Sequence, residues 1–304
     1  MQVKILGSAA GGGFPQWNCA CSNCHAVRSG KFEGKARLQT QVAISGDSDS
    51  WFLLGASPDL RLQIETTPEL HPRPGTRSSP INGIVLASAD LDHVLGLLLL
   101  RELQRFHLWA TESVLGTLRN QNSMFRMLNR IEDQVRWNPI RTRESFALKS
   151  VNGDDGRIRC EAVAVSSRMP AYAGRAEAAD AVLGLVVTAS SGKKLGFFPQ
   201  VANLTPELRD LFSTLDCLLL DGTFWNDDEL IRLQGSGQSA REMGHIPVSG
   251  KDGTLQQLAG LTRPRKMYIH INNTNPMLNE TGPEYSTVRD SGWDLAEDGC
   301  QFTL

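Results

Sequence analysis

Short apolar runs of strand length alternate along the chain with polar, glycine-rich breaks. Residues 2–7 (QVKILG), 41–46 (QVAISG) and 50–57 (SWFLLGAS) read as strands, and the third ends in a turn before an amphipathic stretch that begins at Leu60. Residues 70–80 (LHPRPGTRSSP) have the composition of a loop. The run 81–88 (INGIVLAS) is continuously apolar, as a strand buried on both faces is. A helix is expected over 93–106, followed by a short strand at 106–111 and a further helix. The second half predicts strands at 158–165, 181–190, 194–199, 216–222 and 266–271. It predicts helices at 204–213, where Thr205 and Glu207 mark an N-terminus, and at 253–261. The Gly/Ser-rich stretch 234–250 is long for a simple connection and reads as a functional loop.

Strands dominate both halves, with helices interspersed. The expectation is an α/β (α+β) chain with two mixed β-sheets stacked face to face and flanked by helices. That is a four-layer αββα sandwich, formed as one domain over residues 1–304. Composition changes this picture little: hydrophobic residues make up 40% and charged residues 21% of the chain. The net charge of −2, with both signs mixed, argues against a nucleic-acid face and against an electrostatic membrane anchor. The apolar run 94–100 is far short of the roughly 20 residues needed to cross a bilayer. The N-terminus reads as a first strand running into a glycine turn rather than as a signal peptide, so a cytoplasmic chain with reduced thiols is expected.

The cysteines sharpen that expectation. Of six, Cys19, Cys21 and Cys24 fall within residues 15–24, PQWNCACSNC. Cys-x-Cys-x-x-Cys on a loop can turn three thiolates toward one centre, as in structural zinc sites; free thiols or a redox motif are the competing readings. Zinc takes four ligands, so a fourth must come from elsewhere: adjacent His25, Asn273, or another distant side chain. Cys160, Cys217 and Cys300 are isolated in or near strands and read as small buried hydrophobes. The glycine run 7–13 lacks the spacing and lysine of a P-loop and reads as a tight loop near the site.

Acids and histidines gather at strand ends. Residues 88–93 (SADLDH) place Asp90, Asp92 and His93 between a buried strand and a leucine-rich helix. Capping explains one aspartate there; two plus a histidine point to a metal. The strands 216–222 and 266–271 likewise end in Asp221 and near His270. Each alone has a structural reading, and the case rests on three strands delivering O or N ligands at their C-terminal ends. His245, in the 234–250 loop, suits a substrate contact or a proton shuttle. His71 and His107 read as structural or solvated.

The stretches LGSAAGGGFPQWNCACSNC, SADLDHVLGLL, LLLDGTFW, REMGH and IHINNTNP resemble the coenzyme PQQ synthesis protein B family, a distant branch of the metallo-β-lactamase superfamily. The resemblance runs the length of the chain. It implies the superfamily window H-x-H-x-D-H at 88–93, where Ser88 and Asp90 replace the first two histidines while Asp92 and His93 remain. It therefore implies one active-site divalent metal, Fe²⁺, Zn²⁺ or Mn²⁺, held by Asp92, His93, Asp221 and His270, with Asp90 as an extra ligand or catalytic group and His245 beside it. The implied activity is oxygenation of the tyrosine ring of a peptide-derived Glu–Tyr precursor of pyrroloquinoline quinone (PQQ), with iron and O₂ as co-substrate. A carrier of PQQ or its precursor to the periplasm, and a metal-dependent hydrolase, are the alternatives. The resemblance also implies structural Zn²⁺ on Cys19, Cys21 and Cys24, a homodimer, and partners limited to the small-molecule ligand and other PQQ-biosynthesis proteins, without nucleic acid or membrane insertion.

Overall fold

The structure is a computed structural model and describes residues 1–174 and 176–304. Its strands in chain order are β1 (Gln2–Gly7), β2 (Gln41–Ser45), β3 (Trp51–Leu54), β4 (Ile81–Val85), β5 (Phe106–Thr111), β6 (Val135–Ile140), β7 (Ser145–Lys149), β8 (Asp155–Arg168), β9 (Glu177–Ala189), β10 (Lys194–Phe198), β11 (Cys217–Asp221), β12 (Arg265–Ile269), β13 (Asp294–Leu295) and β14 (Gln301–Thr303). The backbone groups into two compact units. One comprises residues 1–7, 41–194 and 299–304; the other comprises 8–40 and 195–298.

The first unit carries a mixed sheet in the order β14-β1-β2-β3-β4-β5-β6. β1 runs antiparallel to β14 and β2, β2 antiparallel to β3, and β3 through β6 are mutually parallel. Its parallel strands are apolar on both faces, which is why residues 81–88 show no alternation. One face packs Trp51, Leu53, Ile84 and Leu108 with Val94, Leu97, Val114 and Leu118 from the helical segments. The unit also holds an antiparallel β7-β8-β9 ladder. β8 and β9 are longer than the apolar pattern predicted. At 155–160 exposed polar residues alternate with buried ones, so the strand continues on one buried face alone.

Two expected helices are much shorter. The α-helix Leu91–Val94 reaches only two residues into the 93–106 window, and Leu95–Leu100 tightens into a 3₁₀ segment. Packing at Gly96 is the reason. Its N–H donates to Ala56 O at 2.8 Å, and a Cβ there would sit 2.3 Å from Ser57 O. The backbone approaches that closely only by leaving the regular helical path, and only glycine permits it. The 253–261 helix is confined to Thr254–Gln257; turns follow, closed by Leu261 N–H on Leu258 O at 3.0 Å, before Pro264.

In the second unit β10, β11, β12 and β13 are parallel neighbours in that order. All five residues of β11 are buried, so the strand reads as a continuous leucine run ending in Asp221. Tyr268 stacks on Trp293 at 4.3 Å, and Phe198 meets Phe212 edge-on at 4.8 Å. The helix Pro206–Ser213 begins as expected: Thr205 Oγ1 accepts from Leu208 N–H. The glycine loop after β1 packs on the segment following β12, with Ala10 N–H donating to Ile271 O at 2.9 Å. Among the described residues no helix is long and apolar enough to cross a membrane.

Candidate metal centres

In the second unit the C-terminal ends of β11 and β12 deliver Asp221 and His270, and the loop after helix Glu229–Gln234 delivers His245. All three are buried, and each offers a ligand atom within 4.8 Å of the others. His245 and His270 stack with ring centroids 5.5 Å apart and planes inclined by 17°. His270 takes a left-handed backbone, φ 59°. This is uncommon for a residue with a side chain, and it turns the chain sharply at the strand end.

Asp221 is saturated by the protein. Oδ2 accepts from Val201 N–H at 2.9 Å and from His245 Nδ1 at 2.8 Å. Oδ1 accepts from Thr223 N–H at 3.0 Å and from the Thr223 hydroxyl at 2.7 Å. Burial acts to raise this carboxyl, but His245, His270 and Thr223 outweigh it and hold it below the ordinary carboxylate range. Thr223 Oγ1 also lies 2.8 Å from His270 Nδ1 and 3.1 Å from His245 Nδ1. Two imidazoles and one carboxylate, buried and oriented by fixed hydrogen bonds, are a donor set suited to Zn²⁺, Fe²⁺ or Mn²⁺. His245 is buried too and stands in direct contact with the anion. Val201 acts through its backbone N–H, which carries no motif; Thr223 lies within the quoted stretch LLLDGTFW, but nothing local marks its hydroxyl as a partner of both histidines.

The first unit presents the 88–93 segment. His93 is 2% exposed, and its Nε2 stands 3.9 Å from Asp92 Oδ2. Asp90 occupies the N-cap position of Leu91–Val94, yet its side chain makes no capping bond; it accepts the Ser88 hydroxyl at 2.9 Å. A side-chain capping bond therefore does not account for Asp90. His93 O accepts from Ala56 N–H at 2.8 Å, which ties the segment to the end of β3. Tyr172, absent from the sequence reading, donates its hydroxyl to Ala89 O. Burial and the nearby Asp90 charge push its phenol well above the ordinary range.

The thiol loop is also in the second unit. The six cysteines are free thiols, and the sulfurs of Cys19, Cys21 and Cys24 lie within 4.8 Å of one another. Cys21 caps helix Ser22–Arg28 by accepting from Cys24 N–H, so the thiol positions are set by a helix start. Burial pushes the Cys21 thiol up to about 11. Asn273 faces the cluster, with its amide nitrogen 3.3 Å from Cys24 Sγ and 3.6 Å from Cys21 Sγ. His25 is exposed on the helix. Of the candidates for a fourth ligand, Asn273 is therefore the one brought to the thiols. Its oxygen would face them after an amide flip. Three sulfurs and an amide oxygen fit a tetrahedral ion. Cys160 and Cys217 are buried in β8 and β11, and Cys300 is half-buried before β14. His107 is buried in β5 against Asn138, and His71 is exposed.

Comparison with known proteins identifies the family and the fold. Residues 50–271 match the model of the beta-lactamase superfamily domain. Coenzyme PQQ synthesis protein B of Azoarcus sp. (strain BH72) is 39% identical over 309 aligned residues, covering all of both chains. The protein of the same name from Azotobacter vinelandii is 40% identical over 307, again covering both fully. The crystal structure of Zn²⁺-bound PqqB from Methylobacterium extorquens superposes with a TM-score of 0.91 at 38% identity, over the whole of each chain. The fold is thus that of the metallo-β-lactamases, mixed β-sheets flanked by helices, and the chain belongs to the coenzyme PQQ synthesis protein B family.

Proposed function

We propose that the chain is a metal-dependent enzyme of PQQ biosynthesis that hydroxylates the tyrosine ring of a peptide-derived Glu–Tyr precursor. The observation that carries this reading is the buried Asp221–His245–His270 cluster, in a chain whose superfamily window has Ser88 and Asp90 where two histidines belong. Loss of those histidines favours one metal over two. In this reading Asp221 and His270 of the second unit hold the ion, with Asp221 supplying buried negative charge. An Fe²⁺ ion bound there would supply the redox partner for O₂. His245, hydrogen-bonded to Asp221 through Nδ1, holds or moves a proton at the substrate, and Asp90 orients the substrate from the Ser88 side. Cys19, Cys21, Cys24 and Asn273 hold a structural Zn²⁺, and exposed Trp17 in the same loop favours self-association into a homodimer there.

The test is anaerobic reconstitution with Fe²⁺, followed by addition of ¹⁸O₂, a two-electron reductant and a synthetic Glu–Tyr precursor. One labelled oxygen should enter the ring and the other should leave as water. Label incorporation no higher than in a metal-free control overturns the proposal. Tight PQQ binding that survives Asp92→Ala, without turnover, would establish the carrier instead.

A further inference from the structure

We infer that Thr223 is a positioning residue whose hydroxyl selects the imidazole tautomer of His270 and so makes Nε2 the metal-binding nitrogen. The inference rests on the metal-centre reading above and deepens it. Thr223 is buried, at 3% exposure, just past the end of β11. Its Oγ1 is within hydrogen-bond distance of Asp221 Oδ1 (2.7 Å), His270 Nδ1 (2.8 Å), His270 O (2.9 Å) and His245 Nδ1 (3.1 Å).

A hydroxyl has one proton to give and two lone pairs to receive. Two of the neighbours, Asp221 Oδ1 and His270 O, are oxygens that can only accept. If the proton goes to either, the hydroxyl can meet His270 Nδ1 only as an acceptor, so Nδ1 carries a hydrogen and the ring's lone pair lies on Nε2. The opposite tautomer requires the hydroxyl to donate to Nδ1. That forfeits the short, charge-assisted bond to the carboxylate. Because Asp221 Oδ1 is the nearest of the four atoms, at 2.7 Å, the proton belongs to it and the Nε2 lone pair follows. His245 is set by the same anion: its Nδ1 is 2.8 Å from Asp221 Oδ2, nearer than it is to Thr223. One buried carboxylate and one hydroxyl thus fix both rings, each aiming Nε2 away from the support. Ligating histidines elsewhere are held in the same way, through the ring nitrogen that does not bind the ion.

The test uses the full chain and two readouts that need neither substrate nor O₂. Long-range ¹H–¹⁵N spectra of the metal-free wild type report the His270 tautomer directly; an Nε2–H tautomer there overturns the inference. Mn²⁺ binding, followed by loss of the free-ion EPR signal, reports on the N/O cluster because manganese is poorly held by thiolates. Thr223→Val, close in shape but without the hydroxyl, should mix the tautomers and weaken Mn²⁺ binding by about 10- to 100-fold, while Thr223→Ser stays within about twofold of wild type. Wild-type affinity in Thr223→Val, or failure of Thr223→Ser to rescue, overturns the assignment. Should Thr223→Val fail to fold, the wild-type tautomer still decides. Absence of ring hydroxylation with both readouts as expected refutes the hydroxylase reading and leaves the role of Thr223 standing.

Discussion

Replacing Asp221 by asparagine should destabilise the metal-free protein severely. Its carboxylate accepts four hydrogen bonds from Val201, His245 and Thr223. Asparagine can keep its carbonyl toward the two Thr223 donors. Its NH₂ then replaces Oδ2 and points a donor at Val201 N–H and His245 Nδ1–H. His245 can change tautomer, but Val201 N–H cannot, and it becomes a buried orphan. The Val201 bond to a charged group is lost, at about 1.5–3 kcal/mol, and the His245 bond is reduced to a neutral one, at about 1 kcal/mol, so the expected cost is about 2.5–4 kcal/mol. Relief of the buried charge does not reverse the sign: the carboxyl sits below its ordinary value, so its partners already outweigh burial. A loss of that size is a large fraction of a typical domain's stability. The assay is urea unfolding of wild type and Asp221→Asn in excess chelator at neutral pH. The Asp221 contribution is fully present above the ordinary carboxylate value of 3.8 and is lost as pH falls through its lower folded value. The gap between the two proteins should therefore close only in strong acid. A difference below about 1 kcal/mol at neutral pH, within the range of an average substitution, would refute the claim that this carboxylate organises the cluster.

Glu229→Gln should do the reverse. Burial raises this carboxyl to about 7 despite the Thr274 hydroxyl and the Trp225 N–H that bond it. The fold therefore prefers the protonated form, and stability is lost as pH rises from the ordinary 4.5 through about 7, by roughly 3 kcal/mol. The variant should gain about that much on wild type between pH 4 and pH 8 in urea unfolding, and a pH-independent difference contradicts it. Gly96→Ala should cost about 1–3 kcal/mol by overpacking, since the new Cβ meets Ser57 O at 2.3 Å. A wild-type melting temperature argues against the tight packing. Cys21→Ser should lower zinc content, read by elemental analysis, and the melting temperature, while Mn²⁺ binding at the histidines persists. Undiminished zinc would rule out the thiol site.

Much of this was readable along the chain. The runs 81–88, 216–222 and 266–271 appear as β4, β11 and β12 because strands buried on both faces write themselves as unbroken apolar segments. Their polar terminal residues stand out for the same reason, Asp221 after three leucines among them. The thiol triplet was visible because its spacing is local, and Cys21 and Cys24 sit on one helix start. The family motifs carried the rest, including the vacated histidine positions at Ser88 and Asp90.

Long-range closure was invisible. Thr223 meets His270 47 positions away, and Tyr172 meets Ala89 83 away. No periodicity encodes which distant donor faces a given acceptor. The shortened 93–106 helix has the same origin: its leucines promise a helix, and the backbone of Ser57 across Gly96 denies it. Burial and local spacing are properties of neighbours in the chain, and composition records them. Hydrogen-bond partners and close backbone approaches belong to segments that meet only once the strands have paired, so they emerge with the fold.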